Sequence, residues 1–118
     1  MKRWLVALGV VFGGVWLWRK AAGAKQDFTV RLENVPYGST TWNAFWWDGV
    51  KLTLSDLGPN RPVNEAARFS NVSAVAGSFV LAEVLIGGVP VQQAAMLSDP
   101  VNGASYAFDW LTRTLRLL

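Results

Sequence analysis

The sequence predicts a mainly β protein: an N-terminal transmembrane helix followed by a small antiparallel β-sandwich, immunoglobulin-like, or a barrel. Three observations lead to this prediction. A charge-free apolar run lies near the start of the 118-residue chain, the period of the apolar residues changes from helical to two near residue 25, and the remainder contains seven or so short stretches separated by Gly, Pro and Asn turns. We therefore divide the chain into a membrane anchor with basic flanks, residues 1–25, and a β-sandwich domain, residues 26–118.

The apolar run extends from Trp4 to Trp18 between Lys2-Arg3 and Arg19-Lys20. As a helix it covers roughly 22 Å, and the flanking Lys and Arg stems lengthen it toward the ~30 Å of a hydrocarbon core. Tryptophans at both ends suit the aromatic belts of a membrane interface. The residues that we assign to the anchor are Trp4, Gly9, Gly13, Trp16, Trp18, Arg19 and Lys20.

Two other interpretations of this segment stay open. Ala22-Gly23-Ala24 resembles a signal-peptide cleavage site, although Arg19 and Lys20 interrupt the uncharged region that normally precedes cleavage. A buried soluble helix would carry its apolar residues on one face, whereas this run is apolar all round. Gly9 and Gly13 form a G-x-x-x-G pair that lets two helices approach closely, so self-association through the anchor is a further hypothesis.

Charge is distributed unevenly between the two parts of the chain. Residues 1–25 carry five basic side chains and no acidic one, whereas residues 26–118 carry six basic and eight acidic side chains, a net charge of −2. The domain therefore lacks the basic balance of a nucleic-acid-binding surface, while the anchor favours anionic lipid headgroups. The chain has no cysteine and no histidine, which excludes disulfides and thiolate ligands and removes the commonest general base. We expect no cofactor, no metal and no nucleic-acid partner.

No motif in the sequence carries a reaction. The serines lie in no G-x-S-x-G nucleophile elbow, and Gly87-Gly88 is not followed by the Lys and Ser or Thr of a phosphate loop. Turn chemistry and exposed strand positions account for the carboxylates that glycoside hydrolysis would use, Asp48, Asp56, Glu83, Asp99 and Asp109. We expect a protein that is not an enzyme.

Alternation defines the first strand of the domain. The segment 27–35 places Phe28, Val30 and Leu32 on one side and polar residues on the other. A turn at residues 36–39 precedes a second strand, 40–47, that is rich in Thr and aromatic residues. Further strands are predicted at residues 72–76, 78–86, 89–97, 105–110 and 111–118.

Asp48-Gly49 between two apolar stretches predicts a two-residue type I′ hairpin. This turn pairs Trp47 with Val50 and Phe45 with Leu52. We expect these four side chains to lie on the core face of the hairpin.

Trp42, Trp46 and Lys51 then fall on the opposite face and form a candidate interface. Trp46 opposite Lys51 would add a cation–π contact. Two interpretations of the tryptophans stay open. If a second sheet covers this face they belong to the core, and if the face is exposed they stack on sugars, lie in a lipid interface or form a protein–protein hot spot.

Several segments carry a family resemblance, in the order Arg19-Lys20, Phe28–Val35, Val50–Leu54, Pro59-Asn60, Phe69–Ser73 and Leu85–Val91. Together with the anchor they resemble small membrane-anchored members of the late-embryogenesis-abundant type 2, or water-stress, β-sandwich family. The Asn-Pro signature of that family stands here as Gly58-Pro59-Asn60. The resemblance implies an immunoglobulin-like sandwich without catalytic residues, of the kind seen in bacterial envelopes and bacteriophage virions.

These observations favour a non-enzymatic, single-pass membrane-anchored structural or assembly protein whose β domain binds neighbouring proteins. A minor virion protein that links a membrane to a capsid fits this description. The expected partners are a lipid membrane, structural proteins such as capsid proteins, and further copies of the chain, and the expected location is a bacterial envelope or a virion membrane. The alternative is an envelope-anchored glycan-binding module that uses exposed Trp42 and Trp46.

Overall fold

The computed structural model describes residues 25–118, which form nine β-strands in two sheets. The strands are β1 (Lys25–Glu33), β2 (Ser39–Trp47), β3 (Leu52–Leu54), β4 (Arg61–Pro62), β5 (Ala67–Ser73), β6 (Phe79–Ile86), β7 (Val89–Met96), β8 (Ala104–Asp109) and β9 (Thr114–Leu117). The predicted mainly β, sandwich-like architecture is thus confirmed for this part of the chain.

The predicted membrane anchor precedes the described residues. Its assigned side chains, Trp4, Gly9, Gly13, Trp16, Trp18, Arg19 and Lys20, lie outside the range 25–118. Within that range, none of the structure is a helix of the length and apolar character that a membrane span requires.

One sheet has the strand order β5-β1-β8-β9, and the other has the order β3-β2-β6-β7, with β4 also paired to β2. Neighbouring strands are antiparallel except for β1 and β8, which run parallel with Phe28 beside Ala104 and Glu33 beside Asp109. This pairing places the first described strand in the middle of its sheet, next to a strand from the other end of the chain.

The core lies between the inner faces of the two sheets. On β1, Phe28 and Val30 are buried and Leu32 packs against the core, which confirms the alternation predicted for this strand. On the facing sheet, Ala44 of β2 pairs with Ala82 of β6. These two small side chains leave space between the sheets for large rings, so the core is built mainly from aromatic residues. Its largest members are Trp42, Trp46, Phe28, Phe69 and Phe108.

The predicted core face of β2 is wrong. Trp42 and Trp46 are each 1% exposed and point inward, while Phe45 and Trp47 lie on the outer face. The indole N–H of Trp46 donates to the Ser73 carbonyl at 2.7 Å, and that of Trp42 donates to a loop carbonyl at 3.1 Å. Because both buried N–H groups find acceptors, the tryptophan face can be desolvated without leaving a polar group unpaired.

The hairpin after β2 is also longer than predicted. Trp47 pairs with Leu52 rather than with Val50, so four residues form the loop. The Asp48 carboxylate accepts hydrogen bonds from the Val50 N–H at 2.8 Å and the Lys51 N–H at 2.9 Å, which closes the turn through a side chain. The register therefore differs from the prediction by two residues, and a shift of two leaves every side chain on the same face.

Most other strands lie where the alternation predicts them, but the strand expected at residues 72–76 does not. The chain instead forms β5 and then turns at residues 74–78. Asn71, at a φ of 56°, stays in β5 because its N–H donates to the Asp27 carboxylate at 2.7 Å. Gly87-Gly88 joins β6 to β7 with φ values of 57° and 83°, the two positive angles that a type I′ turn requires.

Candidate interaction surfaces

The three residues predicted to form an interface do not share a surface. The burial of Trp42 and Trp46 means that neither ring is available to a partner or to a sugar, and the interface prediction for these two residues is wrong. Lys51 is exposed at the hairpin loop, and Thr53, not Lys51, lies opposite Trp46. The structure agrees with the other interpretation, in which both tryptophans belong to the core.

An apolar surface covers half of the outer face of the five-stranded sheet. It consists of two cross-strand rows, each with one residue from β3, β2, β6 and β7. We use the term apolar surface for these eight residues, which are Leu52, Trp47, Phe79 and Met96 in the first row and Leu54, Phe45, Leu81 and Ala94 in the second. At ordinary strand spacing the rows are roughly 14 Å wide and roughly 7 Å apart.

Two aromatic rings stack at the centre of the apolar surface, and the residues at its margins are exposed. Trp47 and Phe79 stack with ring centroids 6.0 Å apart and an interplanar angle of 22°. At the margins, Leu52 is 47% exposed and Met96 is 64% exposed. The sequence contained a signal for this surface, because both faces of β2 are apolar and a two-layer sandwich buries only one of them.

A polar row ends the apolar surface on one side. Asn43, Glu83 and Gln92 lie side by side on β2, β6 and β7. The Asn43 amide donates to Glu83 Oε1 at 3.1 Å, and the Gln92 amide donates to Glu83 Oε2 at 2.9 Å. Over these three rows the outer face changes from apolar to polar, and Leu85 and Pro90 follow beyond the polar row.

The apolar half of this face lies at the end of the sandwich where the described chain begins. Lys25 pairs with Ser73. The Ser73 carbonyl accepts the hydrogen bond from Trp46, which immediately precedes Trp47 of the first apolar row. A shallow cavity of about 180 Å³ is lined jointly by Lys25 and by hairpin residues that include Lys51 and Thr53. We call the end of the sandwich that carries Lys25 and this hairpin the entry end.

A second candidate surface is the free edge of β7. Among the described residues β7 forms ladder hydrogen bonds only with β6, and β9 of the other sheet lies close to it without pairing. Ile86 and Val89 flank the two-residue turn and form its first hydrogen-bonded pair, and the pairs alternate from there. The backbone groups that point away from β6 therefore belong to Pro90, Gln92, Ala94 and Met96.

β7 differs from the other edge strands of residues 25–118. β3 and β4 have three residues or fewer, β5 carries Arg68 and β9 carries Arg116. β7 is eight residues long, contains no charged side chain and is exposed along most of its length. Short edges and edge charges discourage pairing with another chain, and β7 has neither. Only Pro90, which has no N–H to donate, interrupts its free side.

The carboxylates with perturbed pKa values are explained by local structure. A hydrogen bond from Arg116 to Glu33, at 2.6 Å, lowers the pKa of that carboxyl. Backbone N–H groups of the hairpin lower the pKa of Asp48, and the Asn34 amide, at 3.1 Å, lowers that of Asp109. In the described residues, no three acidic groups are gathered around one point in the way a cation would need.

The chain matches no protein-family model, no characterised protein and no solved structure.

Proposed function

We propose that the protein is a non-enzymatic, single-pass membrane-anchored assembly protein whose β domain binds a neighbouring structural protein. In this proposal the N-terminal apolar run holds the chain in a bacterial envelope or virion membrane, and the domain, an immunoglobulin-like sandwich, contacts the next protein layer. A minor virion protein that links a membrane to a capsid is the form of this function that we favour.

The observation that carries the proposal is the free edge of β7. An extended segment of a partner can add to such an edge as a further strand, with main-chain hydrogen bonds supplying affinity. The N–H groups of Gln92, Ala94 and Met96 are the donors on this side, and the carbonyls of the same residues and of Pro90 are acceptors. The edge is long enough for several such bonds and has no charge that would repel an incoming strand.

Two further features support the assembly function. The domain begins at Lys25, only five residues beyond the basic flank of the apolar run, so the sandwich is held close to whatever the run inserts into. The glycan-binding alternative relied on Trp42 and Trp46, whose rings are buried, and we do not retain it.

Gln92 allows a selective test of the edge. Gln92→Pro removes one outward N–H and leaves the β6–β7 hydrogen bonds in place, because the N–H of residue 92 points away from β6. Gln92→Ala loses the same side-chain hydrogen bond to Glu83 and keeps the N–H, so it is the matched control. We expect the wild-type chain and Gln92→Ala to retain a structural protein after detergent extraction from the native membrane, and Gln92→Pro to lose it.

The experiment also tests the anchor. Full-length protein should stay with membranes through carbonate extraction, as a spanning helix does. Retention of the same partner by a folded Gln92→Pro variant would contradict the edge mechanism. Release of the full-length chain by carbonate would contradict membrane anchoring.

A further inference from the structure

We propose that the apolar surface faces the lipid bilayer with the entry end of the sandwich inclined into it, so that this surface contacts the headgroup region and the upper acyl chains. This inference rests on the proposed function for the anchor and adds a second contact between the protein and its membrane. It assigns the apolar surface to lipid and leaves the β7 edge to the protein partner.

The position of the chain entry is the first argument. Five residues separate Lys20 from Lys25, and even a fully extended chain spans at most roughly 18 Å over that distance. Lys25 lies at the entry end, beside the hairpin that carries Leu52 and Trp47. A membrane that holds the apolar run is therefore within reach of the apolar surface.

The direction of the polarity gradient is the second argument. The first apolar row is nearest the entry end, the second row follows, and the polar row of Asn43, Glu83 and Gln92 lies farther away. A protein partner bound over the whole face would not require this order. A bilayer does, because its environment changes from apolar to aqueous with distance from the membrane.

The residue types are the third argument. Trp47 is an amphipathic ring of the kind enriched at membrane interfaces, and stacking on Phe79 holds it in place. Val50, at the tip of the hairpin, is 83% exposed, and the neighbouring Lys51 can extend its stem along apolar surface toward headgroups. The Asp48 carboxylate beside them is directed into the hairpin, where it accepts hydrogen bonds from backbone N–H groups.

The absence of native cysteine makes a direct measurement possible. Met96→Cys places a single spin label on the apolar surface, and Leu111→Cys places one beyond β8 at the opposite end of the sandwich. Both native side chains are well exposed, 64% for Met96 and 73% for Leu111, so neither label disturbs the core. The full-length variants are reconstituted into vesicles of equimolar phosphatidylcholine and phosphatidylglycerol.

We expect the label at residue 96 to lose collisions with a water-soluble nickel complex and to gain collisions with oxygen when detergent is replaced by vesicles. The label at residue 111 should stay accessible to nickel. Adding Leu52→Glu should return the label at residue 96 to water, whereas adding Tyr37→Glu, at a fully exposed position outside the apolar surface, should not.

Three outcomes would overturn the inference. A label at residue 96 that remains in water, on a chain that resists carbonate extraction, would leave the anchor in place and remove the lipid contact. Dipolar broadening between labels at residue 96 that persists in Gln92→Pro, whose β7 edge is blocked, would identify a second copy of the chain as the occupant. A chain that carbonate releases from the vesicles would show that the anchor itself, and with it the proposed function, is wrong.

Discussion

Replacement of Trp46 measures how strongly one side chain joins the two sheets. Its ring packs against Phe28 and Phe69, with centroids 5.2 Å and 6.4 Å away, and its N–H donates to a carbonyl at the end of β5. A tryptophan buries about 150–250 Å² on folding, which at about 25 cal/mol per Å² corresponds to roughly 4–6 kcal/mol. Large-to-small core substitutions of aromatic residues cost about 3–5 kcal/mol.

We therefore expect Trp46→Ala to lower the free energy of unfolding by about 3–5 kcal/mol, a large part of the ~5–15 kcal/mol of a typical domain. Trp46→Phe keeps most of the apolar ring but leaves the Ser73 carbonyl without its indole donor, and should cost about 1–3 kcal/mol. The measurement is the urea unfolding of residues 25–118, which contain both sheets and the core, monitored by circular dichroism.

Trp47→Phe is the matched control, since it makes the same chemical change one residue along the strand. The Trp47 ring lies on the outer face and stacks on Phe79, so its replacement should cost less than about 1 kcal/mol. Equal losses for Trp46→Phe and Trp47→Phe would refute the assignment of Trp46 to the core, as would an unchanged stability of Trp46→Ala.

Two further predictions concern the hairpin and acid stability. Gly49 has a φ of 98°, and an added Cβ would lie 2.7 Å from Val75 Cγ2. Gly49→Val should therefore lower the free energy of unfolding by roughly 1–3 kcal/mol. A melting temperature equal to that of wild type would contradict this strain. Arg116 lowers the pKa of Glu33 in the folded state below its usual value of 4.5. The ion pair therefore stabilises the fold at pH values above 4.5, and this contribution is lost as the pH falls through the lowered pKa. Glu33→Gln should then lose less stability than wild type between neutral and acidic pH, and parallel stability curves would show that the pair has no role in the acid response.

The sequence predicts strands where one face alone is apolar. In β1 the alternation of Phe28 and Val30 with polar neighbours determines which side is buried, and the structure agrees. In β2 the residues of both faces are aromatic or small, so alternation shows which side chains share a face without showing which face is the core. That choice depends on acceptors for the indole N–H groups, which come from segments distant in sequence.

The register of the hairpin and the candidate surfaces required three-dimensional information for similar reasons. Asp48-Gly49 is compatible with a two-residue turn, but the Asp48 side chain competes by bonding two backbone N–H groups and lengthens the loop. The apolar surface depends on β6 and β7 joining β2 in register, and the edge position of β7 depends on the strand order. Neither is local in sequence, and only Pro90 gave a local indication of an edge strand.

The parallel pairing of β1 with β8 has a consequence for how the chain folds. Thr29 and Ser105, which face each other across this pair, are 76 residues apart in sequence. Contacts of such large separation form late, since the entropy of closing the intervening loop is lost before the contacts compensate for it. During synthesis, β1 leaves the ribosome first and can pair with β5, but the middle of its sheet stays open until residue 109 has emerged. If the apolar run inserts into a membrane, as we propose, its insertion can precede completion of the sandwich, which would then fold beside the bilayer rather than in free solution.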